Sequence, residues 1–165
     1  MNGRENYKIH RDIGTKEYYI PEDDHPIREA LAKGLEDCEF SKDLKEARIE
    51  VMAVYPNISK TTAARVIKTN NHVKIFGGYD YIVEVSGEIW DILPTEVQNI
   101  LMYHECEHMV VKFNKKLEPM FRLRDHDLKD FRSIVAKHGL DWLTTLNNLV
   151  ADEYEIDDEN LCVRI

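Results

Sequence analysis

The sequence predicts an α+β fold: a small, mainly antiparallel sheet packed on one buried helix and further helices. Short β-branched runs with period-two alternation lie between residues 48 and 86, and apolar residues at helical spacing flank them on both sides. With 165 residues, 43% hydrophobic and 32% charged, the chain has the make-up of one globular domain large enough to bury its own core.

Residues 1–26 are polar, with Pro21, Glu22-Asp23-Asp24 and Pro26, and read as an irregular arm. From Ile27 to about Phe40, Ile27, Ala30, Leu31, Gly34, Leu35 and Cys38 recur at helical spacing. Arg48 to Tyr55 places Ile49, Val51, Ala53 and Tyr55 on one alternating face, a strand ended by Pro56-Asn57. Ala64–Thr69 and His72–Phe76 flank Asn70-Asn71, which suits a tight hairpin because Asn tolerates positive φ. Gly77-Gly78 then reverses the chain before a last strand from Tyr79 to Ser86.

A helix starts after Pro94, where Thr95 and Gln98 have capping-box spacing. Val97, Leu101, His104, His108 and Val111 form one stripe, and Ile100, Tyr103, Cys106, Met109 and Val110 cover another side, so this helix is expected to be buried. A second helix is expected over about 127–137, opened by Asp125 and closed by Gly139, and a third over 142–151. The expected organisation is a polar arm over 1–26, one domain over 27–151 and an acidic tail over 152–165.

The net charge of −9 argues against a broad electrostatic grip on nucleic acid or on an anionic membrane. Lys112, Lys115, Lys116, Arg122 and Arg124 form one local basic stretch, read as a solvated helix end and loop. Cys38, Cys106 and Cys162 are few, odd in number and far apart, which fits a reducing cytoplasm better than a disulfide framework. Nothing at the start has the apolar core of a secretory signal, and no run approaches the roughly 20 apolar residues needed to span a bilayer. The expectation is a soluble, cytoplasmic protein.

The most informative string is His104-Glu105-Cys106-Glu107-His108. Histidines four positions apart lie on one helix face, since four steps of about 100° overshoot a turn by about 40°. Both imidazoles can face one cation, with a carboxylate beside them to take a proton from water: the H-E-x-x-H arrangement of zinc peptidases. The string also satisfies the inverse, H-x-x-E-H. Glu105 at about 100° and Glu107 at about −60° flank the histidine pair similarly, so helical angle leaves the choice of base open.

A catalytic zinc takes three protein ligands and leaves a fourth position to water, whose pKa falls to about 7. His126 is the candidate third ligand, placed at an expected helix start where the dipole disfavours imidazolium; Asp130 or Asp125 could accept its other N–H. Asp152, Glu153 and Glu155 are carboxylate alternatives. Tyr79–Ser86 could hold a peptide substrate as an added strand, and Tyr81, Tyr103, Arg122 and Arg124 are candidate oxyanion donors. Cys106, pointing away from the histidine stripe, and Trp90 and Trp142 read as core.

Gly78-Tyr79-Asp80-Tyr81-Ile82-Val83, Trp90-Asp91-Ile92-Leu93, Gln98, His104 to His108, His126-Asp127-Leu128-Lys129-Asp130-Phe131 and His138-Gly139-Leu140 together resemble the metallopeptidase family found in phages and prophages. The resemblance covers roughly residues 48–142; Cys106 stands where that family more often has leucine. More distantly, the layout is similar to SprT-like minimal zincins. The resemblance implies a minimal zincin fold and a zinc peptidase, with His104, His108 and His126 as ligands and Glu105 as general base. Glu107 is then a solvated or supporting residue. The implied cofactor is zinc and the implied partner a protein or peptide substrate. The rival reading is a non-catalytic zinc-bearing adaptor or inhibitor on the same scaffold, for which an intact Glu105 would be unnecessary.

Overall fold

The structure, a computed structural model, describes residues 7–126, 130–154 and 163–165. Alternation builds the middle of its sheet. β3 (Ile49–Tyr55) and β5 (Tyr81–Ser86) run parallel, with Val51 opposite Val83 and Ala53 opposite Val85, all four fully buried. β4 (Ala64–Lys68) pairs antiparallel with the far side of β5. β1 (Tyr7–Ile13) and β2 (Lys16–Pro21) extend the other side, giving the order β1-β2-β3-β5-β4. Among the described strands of this sheet only the β3–β5 pair is parallel, so the small α+β fold has the mainly antiparallel sheet expected of it.

α1 (Pro26–Asp37) crosses α4 (Thr95–Glu107), and Ile27, Leu31, Leu101 and Met102 join the sheet residues in one core. A Cβ on Gly34 would lie 2.9 Å from the Cys106 Sγ and 3.1 Å from the Met102 carbonyl oxygen, so glycine permits this close crossing. α3 (Gly87–Ile92) leads into α4, and β6 (Met109–Phe113) with β7 (Pro119–Leu123) forms a separate hairpin. The Tyr81 hydroxyl donates to the Val110 and Arg122 carbonyls at 3.1 and 2.7 Å, tying that hairpin to β5. α5 (Arg132–His138) and α6 (Asp141–Tyr154) follow. Among the described residues no helix is long and apolar enough to cross a membrane.

Several expectations are corrected. Residues 7–21 form the β1–β2 hairpin in place of an irregular arm, turning at Gly14 with φ of 66°. His25 is buried and caps α1, its Nδ1 accepting from the Ile27 N–H at 3.2 Å. The expected Asn70-Asn71 hairpin is instead a helix, α2 (Asn71–Gly77): the Asn70 side chain caps it by accepting from the Val73 N–H, and Gly78 closes it at φ of 76°. The capping box at Thr95 does not form; Pro94 occupies the cap and Gln98 donates to the Trp90 carbonyl. α4 stops at Glu107, so Val110 and Val111 belong to β6. α5 begins at Arg132, five residues later than expected, with Gly139 as its cap.

Candidate metal centre

The last turn of α4 carries His104 on the helix and His108 at its C-cap, still in helical conformation, so both rings leave the same side. β6 and β7 carry the chain away and back, and the Arg124 N–H donates to the His108 carbonyl at 2.9 Å. This return brings His126 to the pair. Its Nε2 lies 2.9 Å from the His104 Nε2 and 3.1 Å from the His108 Nε2. These three residues form a group able to hold a metal ion. His126 precedes α5 by several residues, so the expected role of a helix dipole at this ring is withdrawn.

Each ring on α4 is oriented by its other nitrogen. Asp130, fully buried, accepts from the His104 Nδ1–H at 2.5 Å, and also from the Trp142 Nε1–H at 3.0 Å and the Phe131 N–H at 2.7 Å. The His108 Nδ1–H donates to the Arg124 carbonyl at 2.8 Å. Both acceptors are oxygens, which fixes the proton on Nδ1 and leaves each Nε2 with a free lone pair. Phe131, buried beneath the cluster, has its ring 4.9–5.4 Å from all three imidazoles. Burial lowers the pKa of His104 against the opposing pull of Asp130. Burial, with the neighbouring imidazoles adding to it, pushes His108 down to about 4. Neutral rings at pH 7 are what a metal requires.

The donor set fits a divalent cation of intermediate softness. Nitrogens bonded at about 2.0–2.1 Å in a tetrahedron sit roughly 3.3–3.4 Å apart, so the observed separations need to open by a few tenths of an ångström. Three protein ligands leave a position for water.

The two glutamates of the motif differ sharply. Glu107 is buried but fully engaged: it accepts from the Glu39 N–H at 3.1 Å and is ion-paired with Arg124. Arg124 also holds Glu39 at 2.5 Å and donates through Nε to the Glu107 carbonyl at 2.6 Å. Glu105 is fully buried, and among the described residues neither of its carboxyl oxygens has a partner. Desolvation raises its pKa to about 8. It lines a cleft of about 310 Å³ with His108, His126, Arg124, and Arg65 and Val66 of β4.

The structure therefore brings together His104, Glu105, His108 and His126, and it separates Glu107 from them. Asp130 orients His104, whereas the sequence suggested His126 as its partner. Asp152 and Glu153 lie on α6 outside the cluster, and Glu155 falls outside the described residues. Tyr81 is committed to the β6–β7 hairpin, and Arg124 lines the cleft with its guanidinium committed to carboxylates. Cys106 is a buried free thiol against α1, as expected of core; so is Cys38, and Cys162 lies outside the described residues. The sequence reading missed Phe131 as a floor and Trp142 as an anchor of Asp130. Their signal was the Asp130-Phe131 pair and a tryptophan twelve residues on, legible only once a third dimension is known.

A family model described as "Putative phage metallopeptidase" matches residues 16–153. The match starts within the N-terminal hairpin and ends in the last turn of α6. Among curated proteins and among solved structures nothing matches the chain.

Proposed function

The chain belongs to the phage metallopeptidase family, and we propose that it is a zinc-dependent peptidase of the zincin type with Glu105 as general base. The observation that carries this reading is the Glu105 carboxyl, buried without a partner in the cleft that His108 and His126 also line. An unsatisfied buried carboxyl costs stability and finds a reason only in a partner that arrives with function.

His104, His108 and His126 would hold the ion through Nε2. A bound zinc would supply acidification of water and polarisation of the scissile carbonyl. Asp130 and the Arg124 carbonyl keep the two α4 rings in the tautomer that presents Nε2 inward. Glu105 accepts a proton from water on a carboxyl oxygen and delivers it to the leaving amine. Its high pKa belongs to the metal-free site, because a cation alongside favours the carboxylate. Phe131 and the surrounding core exclude water from the back of the site.

The peptide is expected along β4. β5 cannot accept an added strand, since it lies between β3 and β4; β4 is the terminal strand, and its Arg65 and Val66 reach the cleft. The test compares wild type with Glu105→Gln after zinc loading. The variant should keep about one zinc per chain and lose peptide cleavage by 10³-fold or more. Undiminished cleavage by the variant overturns the assignment, and wild type that binds zinc yet cleaves no peptide favours a non-catalytic scaffold.

A further inference from the structure

We propose that the apolar cavity between α6 and residues 163–165 receives the side chain of the substrate residue next to the scissile bond. Leu140 and Leu143 then make the enzyme select a bulky apolar residue there. This inference rests on the peptidase reading above and adds a substrate class to it.

The cavity, about 610 Å³, is walled chiefly by Leu140, Leu143, Val163 and Ile165, with Thr144, Asn147 and Arg164 also lining it, and His126 forms one of its sides. His126 and Ile165 also line the cleft that contains Glu105 and His108, so the two spaces meet at the candidate metal ligand. Two other cavities share no residue with that cleft: one lies among Lys33, Asp37, Glu96 and Tyr103, the other among Leu35, Leu44 and Lys45. The polar Asn147 in the wall is already used, its Oδ1 accepting from the Val163 N–H at 3.0 Å. The Arg164 backbone is likewise committed, its N–H donating to the Thr61 carbonyl at 2.5 Å and its carbonyl accepting from Ala63 at 2.8 Å. These bonds hold Val163 and Ile165 in place as a wall.

Reach selects the occupant. Successive Cα atoms are about 3.8 Å apart, so with a carbonyl at the three imidazoles a residue adjoining that bond is the one nearest to place its side chain beside His126. Leu140 is half exposed while lining the cavity, so its apolar surface is available for a substrate to cover. Discrimination by an apolar pocket of this kind runs to roughly 10–200-fold between side chains.

The experiment incubates zinc-loaded full-length wild type, Leu143→Arg and Leu140→Arg with a random decapeptide library and sequences the new termini. Wild type should enrich Leu, Ile, Met or Phe by about 10-fold or more at one position flanking the cut. Leu143→Arg should abolish that enrichment and favour Asp or Glu at the same position. Leu140→Arg, altering a half-exposed residue, should shift it in the same direction if the first variant folds poorly. Cleavage by the folded variants with the wild-type profile, or wild-type cleavage without a flanking preference, overturns the pocket and leaves the peptidase reading standing. No cleavage by wild type sinks both.

Discussion

Glu105 and Glu107 stand on either side of Cys106 near the end of one helix, and both are buried, yet they occupy opposite chemical situations. The side of α4 that carries Glu107 is closed: Arg124 and the Glu39 N–H consume the carboxylate, and α1 packs against Cys106. The side that carries Glu105 opens on a cleft lined by the His108 and His126 imidazoles, where its carboxyl has no partner among the described residues. Burial alone therefore does not distinguish the two glutamates. Burial without satisfaction does, and it is this difference on which the proposed role of Glu105 rests.

The comparison can be broken most strongly through pH. In metal-free protein the Glu105 pKa rises from its ordinary 4.5 to about 8. Below pH 4.5 both folded and unfolded chains hold this proton, and its ionisation makes no difference to stability. Between about 4.5 and 8 only the unfolded chain releases it, so stability falls as pH rises, levelling above 8. Glu105→Gln should remove that slope, making the variant more stable than wild type at pH 8 by up to about 4–5 kcal/mol and equal to it at pH 4. Urea denaturation with a chelator present measures this. Equal midpoints at both pH values would mean that Glu105 has a partner after all.

Glu107→Gln should do the opposite and by less. It leaves Arg124 with Glu39 as its remaining carboxylate, in a partly exposed setting, so the loss is about 1–3 kcal/mol, below that of a fully enclosed pair. Zinc content should stay near one per chain, and cleavage per folded molecule should remain within about 10-fold of wild type. A collapse of cleavage with stability unchanged would transfer the base role to Glu107 and reinstate the inverse motif.

Much of this was legible in the residues, for local reasons. Period-two alternation located β3 and β5, helical spacing located α1, and Pro94 marked the start of α4 although the capping box there does not form. The β1–β2 hairpin escaped because it lies at the sheet margin, where alternate positions need not be apolar; Gly14 between Ile13 and Thr15 was its one turn signal. At Asn70 the same residue type serves a hairpin turn and a helix cap, and the cap won. The histidine pair followed from helical geometry. His126 followed from its side-chain chemistry and from the family resemblance, while the β6–β7 hairpin that returns it was not foreseen. Asp130 reaching His104 across 26 positions, and Arg124 separating the two glutamates, are tertiary facts that no local pattern encodes.

The most direct test of the whole account is zinc K-edge X-ray absorption on the full-length protein, wild type beside His126→Ala. Wild type should show about one zinc with three imidazole nitrogens at about 2.0–2.1 Å and one further light atom, and the variant two imidazoles or no retained zinc. Sulfur among the ligands, or an identical spectrum and full zinc content in the variant, would contradict it.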